Sequence, residues 1–530
     1  MPKLVLRGRV VTMDDAYTVH AQGAVYVDGS MIARVQAADL PAPDAFAEIA
    51  AVDVGGTIYP GLIELHNHLA YNALPLWAVP KRYTNRDQWG RIDDYRVLVS
   101  GPMQVLGHSD AMPALIRYVE AKCLLAGVTT SQGIELYSNH GARRYYRGIV
   151  RNVEQTDDAA LPEALTKISD VEATQAAAFL SRLQGAHQLI LHLAEGSDEA
   201  ARAHFLALRM SEATWAITAR LVAIHCVALR ASDLEVLQAH GGSMVWSPLS
   251  NLLLYGATAR IGDAVAAHVP VALGSDWSPS GSKNLLGELK AARYAAPSEL
   301  SDREIVAMAT CGAARILRWE QSLGSLAAAH RADLIVVRGG EPDPYRALIA
   351  ANEKDLSLVM IDGVARAGVP SLMRRLTGGG ERVTVGGAAR VVNFADPAAD
   401  PLVAKITLGV ARVTLRAALR RLPELAKEQE DAATRPRALA ADAAAPPRWF
   451  LALDEIQSTG LELRPRLGDA GRAGGPRVVS PLAASLPLSK VLRPIDLDPL
   501  TACDDDRFLQ TLKSERNLPP GLGAQIASAY

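Results

Sequence analysis

Cysteine is scarce in this chain: four residues in 530, Cys123, Cys226, Cys311 and Cys503, far apart and without a CxxC pair. That spacing excludes a disulfide framework and a thiolate zinc site, and it fits a reducing cytoplasm. An excess of one charge is missing too. Fifty-five Lys and Arg against 57 Asp and Glu leave a formal net charge of −2. No general field is there to draw in nucleic acid or an anionic membrane, and neither is expected as a partner. No 18 apolar residues run unbroken, and Lys3, Arg7 and Arg9 interrupt what would be the apolar stretch of a leader. A membrane address is therefore not expected. Internal repeats are absent as well. What remains is a chain with 49% hydrophobic residues, enough for a large core in two to four domains, of which a barrel alone can exceed 250 residues.

Three styles of sequence follow one another. Residues 1–58 read as short strands and turns, at Lys3–Thr12, Gly23–Val27, Met31–Val35 and Ala51–Val54, with a turn at Asp28-Gly29. From 59 to about 330 buried strands alternate with helices, the pattern of a parallel α/β sheet. Strands are expected at Leu62–His66, Val128–Ile134, Gly148–Val153, Leu189–Leu193, Val222–Cys226, Ser243–Trp246 and Val271–Gly274. An eighth fits only in Ala164–Val171, before a helix over Glu172–Leu183. Asp110–Ala126 is a helix with Leu115, Val119 and Cys123 on one face and Gly127 as its stop. Residues 331–395 return to the β style at Ala332–Val337 and Ser357–Ile361, so the two flanks are expected to pair into one small β domain. Beyond 396 lie an amphipathic helix over Leu402–Leu425, an Ala/Pro-rich linker over Asp431–Pro447, a strand-like Trp449–Leu453 and a Pro-rich tail.

The chemistry gathers at strand ends. Pro60-Gly61-Leu62-Ile63-Glu64-Leu65-His66-Asn67-His68 ends in two histidines one residue apart, and residues i and i+2 of a strand share a face about 6.5–7 Å apart. Leu189-Ile190-Leu191-His192-Leu193-Ala194-Glu195 and Val222-Ala223-Ile224-His225-Cys226 each place a histidine in an apolar strand. Val271-Ala272-Leu273-Gly274-Ser275-Asp276 ends a wholly apolar strand in a carboxylate, which costs several kcal/mol if left unpaired there. In a parallel barrel all these ends fall on one rim. His66, His68, His192 and Asp276 suit one divalent ion, best Zn²⁺, with Fe²⁺ and Mn²⁺ tolerating the same set. Such an ion draws the pKa of a bound water from near 16 toward about 7. Glu195 is then placed to move a proton from water to a leaving nitrogen, His225 to donate to or orient a developing oxyanion, and Asp276 to serve as a second proton carrier.

His66-Asn67-His68, His192 with Glu195, Ile224-His225-Cys226, Ser247-Pro248-Leu249-Ser250-Asn251-Leu252 and Gly274-Ser275-Asp276 together resemble the amidohydrolase superfamily, in its one-metal branch of deaminases and aminohydrolases. The resemblance covers about residues 3–390 and implies an α/β fold, a distorted TIM (β/α)₈ barrel beside a β-sandwich built from both flanks. It also implies metal ligands His66, His68, His192 and Asp276, proton shuttle Glu195 and oxyanion contact His225. Ala313–Leu317, Leu323–Leu326 and Arg331–Leu334 are similar to the family's exit from the barrel. A two-metal variant needs a lysine from the middle strands. Gly148–Val153 has none, and Lys167 lies in a segment that is hard to assign.

The expected activity is metal-dependent hydrolysis of a non-peptide carbon–nitrogen bond in a small cyclic or amide-like substrate. Deamination of a heterocycle is the nearest alternative, and a hydrolase-fold scaffold without activity is the alternative of another class. The Gly-Pro-His turn that many deaminases of this branch carry has no counterpart in Val153–Gln188. Trp277-Ser278-Pro279-Ser280-Gly281-Ser282-Lys283-Asn284 departs from the small residues and Asn usual after the aspartate. The loop Tyr71–Asp110 holds Trp77, Lys81, Arg82, Tyr83, Arg86, Trp89 and Arg91, a mixture that suits a carboxylate or a flat ring and equally suits a solvated lid. Trp77 and Arg82, with Trp246, Asn251 and Trp277, are the candidate substrate contacts. Asn251 also suits a buttress of its loop. The apolar side of the helix after 402 is expected to dock on the barrel or on a second copy of the chain.

Overall fold

In the computed structural model, residues 3–90, 92–166, 176–434, 447–453 and 486–530 are described. Alternating apolar residues at the N-terminus make strands β1 (Lys3–Val11), β2 (Val19–Asp28), β3 (Met31–Ala37) and β4 (Val52–Pro60). The β2–β3 hairpin turns at Gly29, whose φ of 63° only glycine adopts without strain. There follow β5 (Leu62–Ile63), β6 (Val128–Ser131), the hairpin β7 (Glu135–Ser138) and β8 (Arg143–Tyr145), β9 (Arg151–Asn152), β10 (Ala164–Leu165), β11 (Gln188–Leu193), β12 (Leu221–His225), β13 (Ser243–Trp246) and β14 (Val271–Leu273). The C-terminal flank adds β15 (Leu334–Val337), β16 (Leu356–Ile361), β17 (Val364–Gly368), β18 (Glu381–Val385) and β19 (Ala388–Val392), and last comes β20 (Trp449–Leu451).

These strands give a TIM-barrel-type α/β fold with a sheet domain. The sheet domain is one continuous sheet in the order β18-β19-β17-β16-β15-β4-β1-β2-β3. The flanks meet where β15 pairs antiparallel with β4, Leu334 opposite Pro60. The barrel-type strands form two parallel arcs, β5-β6-β9 and β10-β11-β12-β13-β14. Ala164 N donates to Val153 O at 2.8 Å between the arcs on one side, and Asp276 N to His66 O at 3.1 Å on the other. The eighth strand thus lies where expected but is only two residues long, and the expected Gly148–Val153 shrinks to Arg151–Asn152. Lys167 and the first turn of the helix expected over Glu172–Leu183 lie outside the described residues.

The expected helix over Leu402–Leu425 is three: Pro401–Ala404, Leu408–Arg420 and Leu422–Thr434. Thr407 caps the second by accepting from Val410 N, and Pro423, which lacks an N–H, is tolerated only in the first turn of the third. Leu408, Ala411, Leu415 and Leu419 are buried, and the second helix packs on the barrel helix Met112–Leu125. The linker expected over Asp431–Pro447 begins as helix, to Thr434, and its remainder falls outside the described residues except for Pro447. Trp449–Leu451 joins β7 as a third antiparallel strand. No helix among the described residues is long and apolar enough to cross a membrane.

The tail is built into the barrel. Phe508, Leu512, Leu518, Leu522 and Ile526 cluster with Leu249, Leu252 and Leu253. Asp498, fully buried, accepts from Lys122 Nζ at 2.5 Å and also from Lys283, which reaches Asp505 too. Removing one partner of a buried ion pair strands the other charge in a low dielectric. Asp498→Ala is therefore expected to destabilise the chain by about 3–5 kcal/mol, read as a shift in the midpoint of denaturant unfolding; a midpoint equal to that of the unmodified chain contradicts it.

Candidate metal centre

Backbone pairing sets up the first three residues of the site. Beyond the end of β5, His68 N donates to Asp276 O at 2.6 Å and Asp276 N to His66 O at 3.1 Å, so both histidines are registered against the aspartate. Their Nε2 atoms lie 3.1 and 3.5 Å from Asp276 Oδ1. On the other arc, β11 and β12 pair His192 with Ile224 and Leu193 with His225, which brings the next two imidazoles side by side. Ring centroids are 4.8 Å apart for His66–His192, 5.2 Å for His66–His225 and 5.3 Å for His192–His225. Ala194, His225 and Asp276 take φ of 52°, 71° and 66°. Left-handed backbone at non-glycine residues costs about 1–3 kcal/mol each and collects at functional sites.

The donor set fits a metal ion. The candidate ligand atoms of His66, His68 and His192, of His66, His225 and Asp276, and of His192, Glu195 and His225 each lie within 4.8 Å of one another. His66 Nε2 is fully buried and, despite its nearness to Asp276, makes no hydrogen bond. An orphaned nitrogen at the meeting point of imidazoles and a carboxylate calls for an electrophile. Burial pushes the His192 and His225 imidazoles below their ordinary value, toward the neutral form a metal needs. Burial pushes the Asp276 carboxyl up, but His66, His225 and His68 more than reverse this and hold it below the usual carboxylate range.

The surrounding residues orient this group. Gln132 Oε1 lies 3.3 Å from His66 Nδ1 and accepts from Asn67 N at 3.1 Å, so Nδ1 carries the proton and Nε2 is left for the centre. Ser250 Oγ donates to Asp276 Oδ2 at 2.6 Å. Asn251 Oδ1 is 2.9 Å from His225 Nδ1, and its Nδ2 donates to Thr258 Oγ1, which also receives Trp246 Nε1–H at 2.7 Å. Glu195 Oε1 accepts from Tyr255 at 2.7 Å, and Oε2 lies 3.6 Å from Arg86 Nε and 3.8 Å from His225 Nε2. Trp277 lies 5.4 Å from the His68 ring, with Tyr71 at 5.1 Å and Trp89 at 6.1 Å.

The structure thus brings His66, His68, His192, Asp276, Glu195 and His225 together, with Trp277 beside them. Asn251 lies on the Nδ1 side of His225, and Trp246 is joined to Asn251 through Thr258. Trp77 stands a ring further back, against Trp89 and Tyr95. Arg82, expected to face the substrate, instead donates to the carbonyls of Asn517 and Arg516. The tail offers it acceptors, and among the described residues of that loop Arg86 is the cation beside Glu195. Gln132, Ser250, Tyr255, Trp89 and Arg86 were not singled out as site residues. Gln132 follows the hydroxyl-rich strand β6, Val-Thr-Thr-Ser, so no apolar run ending in a polar residue marked it, and for Tyr255 no signal existed.

A donor set of this composition on the rim of a TIM-barrel-type fold defines a metal-dependent hydrolase. The chain belongs to the amidohydrolase family, whose model matches residues 57–366, more than half its length. The 5-methylthioadenosine/S-adenosylhomocysteine deaminase 1 of Syntrophus aciditrophicus is 26% identical over 412 residues, 68% of this chain and 90% of the relative. A 5-methylthioadenosine/S-adenosylhomocysteine deaminase of Desulfitobacterium hafniense is 26% identical over 406 residues, 68% and 93%. Among solved structures, the guanine deaminase of E. coli superposes with a TM-score of 0.52 at 16% identity over 69% of this chain and 99% of that one, a likeness of fold. The protein is a hydrolase of non-peptide carbon–nitrogen bonds that depends on a divalent metal.

Proposed function

We propose that the protein is a hydrolytic deaminase of a small amino-substituted nitrogen heterocycle. Water and the ring C–NH₂ give a ring carbonyl and ammonia, the proton balance being kept by a ring nitrogen. The observation that carries this reading is a buried carboxylate, Glu195, 3.8 Å from His225 and grouped with His192, in a centre flanked by the Trp277 ring. Such a wall suits a flat ring. The relatives quoted above are named as deaminases, which favours release of an exocyclic amine over ring or amide hydrolysis.

His66, His68, His192 and Asp276 would hold one divalent ion, Zn²⁺ by the preference of an imidazole-rich set, and when bound it supplies a Lewis acid that makes water nucleophilic at neutral pH. Glu195 takes a proton from the attacking water and delivers it to the departing nitrogen. With Asn251 Oδ1 as acceptor, His225 carries its proton on Nδ1 and turns an acceptor nitrogen to the site. Its contribution in this reading is to orient the reacting group. Trp277 supports the ring, while Trp77, Trp246, Asn251 and Arg82 act from behind.

The same reading divides the chain into a barrel over 59–330, closed as eight strands, a sheet domain from 1–58 and 331–395, and an extension over 396–530. It places the protein in the cytoplasm, where four free thiols are stable.

Zinc-loaded protein incubated with aminopurine nucleosides and aminopyrimidines is expected to release ammonia in step with loss of the amino heterocycle. A chelator should abolish the release and added Zn²⁺ restore it. A new carboxylate without ammonia overturns deamination in favour of ring or amide hydrolysis; a folded chain with neither metal nor turnover selects the inactive scaffold.

A further inference from the structure

The two oxygens of Glu195 have different partners. Oε1 accepts the Tyr255 hydroxyl at 2.7 Å, and that hydroxyl accepts the indole N–H of Trp89 at 2.9 Å. Oε2 is the oxygen that faces His225 and Arg86. Glu195, Tyr255 and Trp89 are all buried. Tyr255 is the last residue of the helix Pro248–Tyr255, which stops at Gly256 with φ of 66°, so its ring is set by the end of a rigid element.

One segment ties both ends of this contact together. Tyr83 N donates to Leu254 O at 2.8 Å, beside Tyr255. Ser197 N donates to Thr84 O at 2.7 Å, and Thr84 and Asn85 side chains both donate to Asp198 at 2.7 Å, three residues past Glu195. Asn85 also forms a bridge to Gly196, whose φ of 144° and close neighbours, Thr84 O and Asn85 Cα, leave no room for a Cβ. The short helix Arg86–Trp89 then delivers Arg86 to Oε2 and Trp89 to Tyr255.

We infer that Tyr255 is a positioning residue for the reaction: it anchors one oxygen of Glu195 so that the other stays turned to the reacting group, and the segment 83–89 holds the anchor through Trp89. The inference rests on Glu195 being the proton carrier proposed above. A carboxylate on a flexible side chain has many orientations, and misplacement of a catalytic group by about 1 Å costs up to about 10²-fold. Burial and the neighbouring Glu195 push the Tyr255 hydroxyl well above its ordinary value, so it remains a donor.

The test is Tyr255→Phe, which keeps the ring and its packing and removes only the hydroxyl. With 5-methylthioadenosine as the probe, kcat of the zinc-loaded full chain is expected to fall about 10- to 100-fold, with KM and bound metal within twofold of the unmodified protein. A crystal structure of the same variant is expected to show the Glu195 carboxylate rotated or in more than one orientation, a readout that needs no turnover. Trp89→Phe should move kcat the same way by less, and it decides the matter if Tyr255→Phe does not fold. Glu195→Gln is measured in parallel. If it loses turnover while Tyr255→Phe keeps wild-type kcat and an unmoved carboxylate, the inference is overturned with the proton carrier intact. If Glu195→Gln itself keeps turnover, it is the proton carrier that fails.

Discussion

Glu195→Gln is expected to lower turnover by about 10²–10⁴-fold, the usual worth of a positioned general acid–base group, while the chain keeps its fold and its metal. Glutamine has the size of the carboxylate, and its carbonyl oxygen still accepts the Tyr255 hydroxyl that now holds Oε1. What it loses is the ability to take a proton and give it back. Metal content distinguishes this role from a rival one visible in the site itself, because Glu195 also lies within ligand range of His192 and His225. Elemental analysis beside kcat separates the two: stoichiometric metal with collapsed turnover marks a proton carrier, and loss of both marks a ligand. Turnover within tenfold of wild type would remove Glu195 from the chemistry altogether.

The residues at the metal centre were legible because strands impose simple rules. Two histidines at i and i+2 share a face, and an ionisable side chain ending an apolar strand, as at His192, His225 and Asp276, needs a partner there. The pairing of the two flanks was legible from the return of the β style after Ala332. Loops obey no such period. Arg82 and Arg86 stand four residues apart in one cationic, aromatic stretch, and which of them meets the site is decided by Asn517, more than 400 residues on. The tail misleads for the same reason. Asp498, Asp505, Lys122 and Lys283 are far apart in the chain and share no motif, and only the fold makes them a buried group. Strands β9 and β10 are two residues each, and beside them Glu154 accepts from Gly133 N and from Thr166 Oγ1. Such contacts leave no hydrophobic period to read.

Asp276→Ala is expected to have the largest effect on metal, reducing about one divalent ion per chain to almost none after gel filtration, with His66→Ala alike. Asp276 brings the one carboxylate to the proposed ligand set, and its Oδ1 lies against two imidazoles at 3.1 and 3.5 Å while Ser250 steadies Oδ2. Removing it leaves three neutral donors and strands the Ser250 hydroxyl. Ser250→Ala, which keeps the carboxylate and loses only its orientation, should weaken binding by the 10- to 100-fold typical of a hydrogen-bonding partner to a ligand. Because a ligand that binds only the folded chain stabilises it by mass action, added Zn²⁺ should raise the Tm of the unmodified protein and leave that of Asp276→Ala unchanged. The ordering of the three proteins in one zinc titration is therefore the sharpest reading of the centre. Asp276→Ala holding zinc as tightly as Ser250→Ala would mean that the ion is bound by other residues.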